Sequence, residues 1–305
     1  MKTLALLAIL ALQSTGTWER LPETHQDRLT STAAGTVAPA ASPAAITFPA
    51  AALPVRTTEA PPPILNAVSA IAVDRATGTV LYTHNADAQR PIASITKLVT
   101  ALVVSSGQDP QQRLTVPELP DYIIEAETMG LVKGDTFTLE QLLQAALVPS
   151  ENDAADMLAI TNAGSVEAFT AKMNAKMDEW GIKGTHFSSA SGLDDTNNYA
   201  TASALAKIGG LALENPAIAS TVSKTDISLT SGAGRTYNLR TTNRLLASGQ
   251  FYGIKTGYTL PAGECFVGLA RINGHEVITV VLGSTDRFGT TTTLTNWIGR
   301  NWQWL

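Results

Sequence analysis

Three short segments carry side chains that could act on one bond: Ser94-Ile95-Thr96-Lys97, Ser150-Glu151-Asn152 and Lys255-Thr256-Gly257. A serine hydroxyl is a weak nucleophile until a base takes its proton. Residues three apart on a helix share a face, so Lys97 would hold its amine beside the Ser94 hydroxyl. A lysine buried beside other cations can lose its proton near neutral pH, which makes Lys97 a candidate base. A helix N-terminus at Ser94 would favour developing negative charge. In the second segment, Ser150 could relay a proton to a leaving amine, and the Asn152 amide could hold a substrate carbonyl while bonding Lys97. A plain alternative is that Ser150 or Asn152 caps the helix that follows. In the third, a strand from Ile254 to Tyr258 would turn Lys255 toward a cleft as the positive charge for a carboxylate, with the Thr256 hydroxyl near it. Gly257, having no side chain, would let a substrate backbone approach and pair with the strand edge. Backbone N–H groups of Ser94 and Tyr258 could then form an oxyanion hole. Each segment alone has an ordinary structural explanation; their order and their placement on helix, loop and strand match one acyl-transfer site.

The elements that must hold these residues can be read from periodicity. Ile95, Leu98, Val99, Leu102 and Val103 recur with helical spacing, predicting a helix from Ser94 to about Ser106 that Gly107 and Pro110 end. Thr138 with Gln141 three residues later predicts a capped helix to about Val148. Further helices are predicted after Asn152 and over Val166–Trp180, broken at Gly164. Ala67–Val73 and Thr79–Thr83, joined at Asp74–Gly78, predict a hairpin. Tyr252–Tyr258, Glu264–Ile272 and His275–Ser284 predict strands, the last two joined by Asn273-Gly274, with a closing helix over Leu294–Trp304. Strands at both ends with helices between them predict an α/β (α+β) fold, in which a sheet formed from both chain ends carries an inserted helical lobe.

Beyond the three motifs, the chain resembles the low-molecular-mass penicillin-binding proteins, the serine-type D-alanyl-D-alanine carboxypeptidase family. The resemblance runs from about Ala67 to the C-terminus. It rests on IASITKLVTA (92–101), LLQAALVPSENDAADMLA (142–159), Gly192-Leu193-Asp194-Asp195, Thr242-Asn243-Arg244-Leu245-Leu246 and GIKTGYTLPAGEC (253–265). It implies a penicillin-binding/serine β-lactamase-like transpeptidase fold with an antiparallel sheet. It further implies Ser94 as nucleophile, Lys97 as base, Ser150 and Asn152 as the second catalytic pair, and Lys255 and Thr256 for the substrate carboxylate. Arg287, in Thr285-Asp286-Arg287-Phe288, resembles an arginine that helps bind that carboxylate in some members. The implied partners are peptidoglycan stem peptides and β-lactam antibiotics, and no cofactor is implied. Glu151 departs from the small residue usual in the middle of the second motif, and its charge would shift Lys97 or Lys255 upward. Ala204 and Thr290 stand where acidic residues are usual.

Composition bounds the remainder. The chain has 305 residues, net charge −5 and 44% hydrophobic residues, enough for a sizeable core, and has no basic cluster of the kind nucleic acid requires. Lys2 followed by TLALLAILAL reads as a secretory signal peptide over residues 1–16, too short to span a bilayer. Residues 17–63 read as an Ala/Thr/Pro-rich disordered spacer, and residues 64–305 as the catalytic domain. The location implied is extracytoplasmic, periplasmic or secreted to the cell wall of a bacterium, with no transmembrane span after cleavage. Four scattered histidines, His25, His84, His186 and His275, lack ligand spacing for a metal. Cys265 reads as an inert core residue. A serine β-lactamase would need a hydrolytic Glu-x-x-Leu-Asn segment between Asn152 and Lys255, and Glu214-Asn215 does not supply one. An endopeptidase cutting cross-bridges, which uses the same acyl-enzyme chemistry, and a non-catalytic wall-binding homologue both stay open.

Overall fold

Two stretches of chain, Ser69–His84 and Phe251–Ser284, meet to form the central sheet. The computed structural model describes residues 52–119, 127–193 and 197–305. The signal-peptide reading and the first part of the spacer reading lie outside the described residues, as do Asp194 and Asp195.

In chain order the strands are β1 (Pro54–Arg56), β2 (Ser69–Asp74), β3 (Val80–His84), β4 (Arg90–Pro91), β5 (Arg113–Thr115), β6 (Thr136–Thr138), β7 (Tyr199–Ala200), β8 (Asp226–Thr230), β9 (Thr236–Arg240), β10 (Phe251–Thr259), β11 (Gly263–Ile272), β12 (His275–Ser284) and β13 (Trp302–Trp304). The helices are α1 (Lys97–Ser105), α2 (Leu139–Leu147), α3 (Asn152–Ala163), α4 (Val166–Glu179), α5 (Ala202–Glu214), α6 (Pro216–Val222) and α7 (Arg287–Asn301). The main sheet is antiparallel in the order β10-β11-β12-β2-β3. The expectation of a sheet from both ends carrying a helical insertion is met.

Strand alternation divides the core. Ala70, Ala72, Phe266, Ala270, Val277 and Val281 point to one face, where Leu294, Trp297 and Ile298 of α7 cover them. Ile71, Val267, Leu269, Ile278 and Val280 point to the other face, into a larger core shared with the inserted helices. Every residue of α1 except Ser105 is buried, so this helix is the axis of that lobe. The α2 start follows the sequence prediction: Gln141 N donates to Thr138 Oγ1 at 3.1 Å, and Thr138 N donates to Gln141 Oε1 at 2.8 Å. Gly164 ends α3 in the left-handed region at φ 86°.

Two expectations are corrected at the chain's outer layer. The closing helix begins at Arg287, seven residues before Leu294, and stops at Asn301, after which Trp302–Trp304 form a strand. Asp286 caps its start, accepting from Gly289 N at 2.9 Å. Thr291, Thr292 and Thr293 return their hydroxyls to carbonyls four residues back, which seats residues of weak helix preference. The second correction concerns residues 52–63, which composition assigns to the spacer. They lie packed on the fold: β1 pairs antiparallel with β13, Trp297 Nε1 donates to Pro61 O at 2.9 Å, and Arg56 stacks over the Trp297 ring at 5.4 Å. The tie is made by backbone pairing, one indole and the hydroxyls of Thr57 and Thr58 on Asn301, so it leaves no apolar period in a proline-rich stretch.

A chain beginning at Ile64 loses this strap and uncovers Trp297. It should melt about 5 °C below a chain beginning at Ala52 in scanning calorimetry; equal midpoints would mean that the strap contributes nothing.

Candidate active site

The predicted helix from Ser94 splits in two. Ala93–Thr96 form a 3-10 turn, and the α-helix proper starts at Lys97. In a 3-10 turn residues three apart eclipse, so Ser94 and Lys97 still meet on one side. Two glycines allow the turn to sit where it does. A Cβ on Gly257 of β10 would lie 2.8 Å from Ile92 O and 3.2 Å from Ile95 N, and one on Gly192 would lie 2.1 Å from Ala93 O. Gly192 also has φ +85°, a conformation that favours glycine. The absent Gly257 side chain therefore makes room for the turn that carries Ser94, a packing role additional to its place in the cleft wall on the sheet's edge strand.

Lys97 is fully buried, and its Nζ has three oxygen partners. They are Ser94 Oγ at 2.7 Å, Asn152 Oδ1 at 2.7 Å and the backbone carbonyl of Ser191 at 2.8 Å. Two of these only accept, while the hydroxyl can also donate. All three can accept from an ammonium, and because the hydroxyl can also donate, a neutral amine with two N–H groups and one lone pair is satisfied by the same set. Burial lowers this amine to about 7, against the pull of Asp156, Glu127, Glu151 and Asp153. Near neutral pH the lone pair is thus available to Ser94.

Neither Ser150 nor Asn152 caps α3. Glu151 occupies the cap position without a side-chain bond, and both neighbours turn inward to lysines. Ser150 sits in the left-handed region at φ 79°, which is strained for a serine, and its Oγ accepts from Lys255 Nζ at 2.8 Å. Lys255 itself is 1% exposed, so its amine lies under the cleft and not in its wall, contrary to the sequence expectation. Burial, then the nearby charges of Lys97 and Arg287, push its amine well below the ordinary lysine value. Glu151 does pull both lysines upward, as expected, but burial of the amines outweighs it. Burial and the neighbouring Asp153 raise its own carboxyl to about 7.

Above these groups opens a cleft of about 490 Å³, lined among others by Ser94, Ser150, Asn152, Thr256, Gly257, Tyr258 and Arg287. Seven of the nine sequence-predicted residues thus line one cavity, and the other two, Lys97 and Lys255, lie bonded beneath it. Thr256 Oγ1 shares a 2.5 Å hydrogen bond with Thr242 Oγ1. Arg287, at the first turn of α7, donates from Nη1 to Gly257 O at 2.7 Å and contributes a cation to the wall. Sequence reasoning missed Glu127 and Glu264 in the wall, and Ser191 beneath it. Thr242 and Gly192 lie in segments that carried the family resemblance, which was a usable signal. Ser191 bonds Lys97 only through its backbone, which no residue type announces. Glu214 lines a separate groove with Arg75 and Lys207. Cys265 is fully buried, and burial raises its thiol to about 11. Among the described residues no group of three or more His, Cys, Asp or Glu side chains could hold a metal ion.

Comparison with known proteins follows this geometry. The family model described as D-alanyl-D-alanine carboxypeptidase matches residues 55–286. A D-alanyl-D-alanine carboxypeptidase of Streptomyces sp. strain K15 is 35% identical over 242 residues, 73% of this chain and 83% of that protein. A D-alanyl-D-alanine endopeptidase of Pseudomonas aeruginosa is 35% identical over 243 residues, 75% of this chain and 76% of that one. The solved structure of penicillin-binding protein D2 from Listeria monocytogenes, in its ampicillin-bound form, superposes with a TM-score of 0.68 at 32% identity, covering 79% of this chain and 100% of that one.

Lys97 labelled at Cε with carbon-13 should titrate in the folded protein near 7, far below an ordinary lysine. A midpoint above 9 would contradict the neutral-amine reading.

Proposed function

Because the chain belongs to the D-alanyl-D-alanine carboxypeptidase family of serine peptidases, we propose that it removes the terminal D-alanine of peptidoglycan stem pentapeptides through an ester on Ser94. One observation supports the assignment: the Lys97 amine is buried 2.7 Å from Ser94 Oγ and burial lowers it to about 7, the arrangement that a base for the Ser94 proton needs.

Ser94 Oγ attacks the carbonyl carbon of the penultimate D-alanine, and its proton passes to Lys97 Nζ. Charge developing on the carbonyl oxygen is met by the backbone N–H groups of Ser94 and Tyr258, both at the cleft wall. Collapse breaks the C–N bond, and the proton held on Lys97 passes through Ser150, whose Oγ is held by Lys255, to the departing amine, which leaves Lys97 neutral again. Arg287 and Thr256 receive the terminal carboxylate, with Lys255 adding charge from below. Water then attacks the ester with Lys97 again as base, returning Ser94. No step needs a metal or an organic cofactor. A β-lactam would enter the same cleft and acylate the same oxygen, a reading supported by the ampicillin-bound structural relative. Lys2 and the apolar run that follows support export, so that the enzyme works outside the cytoplasm on the cell wall. No helix among the described residues is long and apolar enough to cross a membrane.

The cleavage of cross-bridges is the second reading, favoured by the equal identity to a relative named as an endopeptidase. Incubation with a pentapeptide muropeptide and a cross-linked dimer, followed by mass spectrometry, separates the two. Loss of one alanine from the pentapeptide, absent with Ser94→Ala, is the expected result. Conversion of dimer to monomers would make the enzyme an endopeptidase, and survival of both would leave wall binding.

A pH series and one further variant extend the test. Protonation of Lys97 removes the base, so kcat/KM should fall as pH drops through about 7; a rate flat from pH 5 to 8 would exclude Lys97. Gly257→Ala should push the Ser94 turn away from β10 and cost on the order of 100-fold in kcat. Wild-type activity in that variant would mean the turn adapts freely.

A further inference from the structure

One buried carboxyl at the edge of the site takes no part in the steps above. Asp156 follows Asn152 by one turn of α3 and is 1% exposed. Its Oδ2 accepts from the Ser191 hydroxyl at 3.4 Å, while its Oδ1 has no partner. Ser191 in turn gives its backbone carbonyl to Lys97 Nζ. The loop bearing it is pinned by Ser189 Oγ, which accepts from the N–H groups of Ser191 and Gly192.

We propose that Asp156 is a positioning residue for Lys97: it braces Ser191 so that its carbonyl meets the amine, and supplies the negative charge that stabilises the ammonium formed when Lys97 takes the Ser94 proton. The proposal rests on the reading of Lys97 as base. Burial alone makes a lysine amine too poor a proton acceptor to drive serine attack, so some carboxylate must restore its basicity. Four face it. Asp153 is committed to the N–H groups of Met129, Gly130, Leu131 and Ala154. Glu127 is exposed to solvent, and Glu151 faces Lys255 as well as Lys97. Asp156 is the most enclosed of the four and pulls hardest on Lys97. From β10 the cation Lys255 opposes them, and Lys97 is the only charged residue of its own helix. Burial raises Asp156 itself to about 7, so amine and carboxyl exchange protonation over one pH range.

The sign follows from charge. An ionised Asp156 favours the ammonium, so replacing it with a neutral isostere must lower the pH at which Lys97 deprotonates. Asp156→Asn keeps the shape and an acceptor for the Ser191 hydroxyl. In this variant the carbon-13 titration midpoint of Lys97 should fall by about one unit. The acid limb of the pH profile for acylation by benzylpenicillin should follow it, and the rate on the alkaline side should drop several-fold as the base weakens. Asp156→Glu, which keeps the charge, should restore much of both. An unchanged or raised Lys97 midpoint in Asp156→Asn would overturn the proposal. A lowered midpoint with an unmoved acylation limb would support the coupling while sinking Lys97 as the base. Should the variant not fold, the wild type decides: the Asp156 carboxyl carbon should titrate in two steps shared with Lys97, and a single step in the ordinary carboxylate range would overturn the proposal.

Discussion

Everything in the site depends on keeping one amine out of water. Moving an ammonium into a protein interior costs several kcal/mol even after relaxation, and a neutral amine is tolerated there only if its hydrogen-bonding capacity is met. The three oxygens that meet it on Lys97 come from the 3-10 turn, the first residue of α3 and the loop at Ser191. These pieces are far apart in sequence. If any of them drifts, water or an unpaired oxygen takes its place, and the lysine reverts to an ordinary cation.

That requirement explains the strained backbone around the nucleophile. Ala93 has φ +48° and Ser150 φ +79°, conformations that non-glycine residues adopt at a cost of about 1–2 kcal/mol each. Ala93 immediately precedes Ser94, and Ser150 is the residue whose hydroxyl meets Lys255. Glycine is used differently in the same neighbourhood: Gly257 and Gly192 permit backbone to lie against backbone. The strand, the turn and the loop are thereby locked at contact distance. The hydroxyl is positioned by the packing of three elements, and no single one of them would hold it.

Much of this was legible in the sequence, and the omissions share a cause. The Ser94–Lys97 pair is legible whichever helix type carries it, because a spacing of three serves both. The α2 capping box was read correctly because it is local. Arg287 was named from its motif but not its element, since a run of threonines argues against helix until their hydroxyls are seen returning to the backbone. For Lys255 and Gly257 the sequence shows the strand but not everything that surrounds it. Period-two alternation says which residues share a face, yet not what lies against that face. Ser191, Glu264 and the β1 strap depend on contacts across the fold, and neither composition nor period registers those.

The pairing of β2 with β12 has a kinetic meaning. Asp74 lies opposite Val277, and β1 and β13 join Pro54 to Trp304. Such long-range pairings make folding slow, because the chain must close very large loops before the sheet rewards it. β3 follows β2 at once, but a ribosome will have made about two hundred residues beyond β2 before β12, its partner on the other side, exists. Until then β2 and β3 can form only a two-stranded hairpin, which is marginally stable in water on its own, so the sheet is completed only when the last strands arrive.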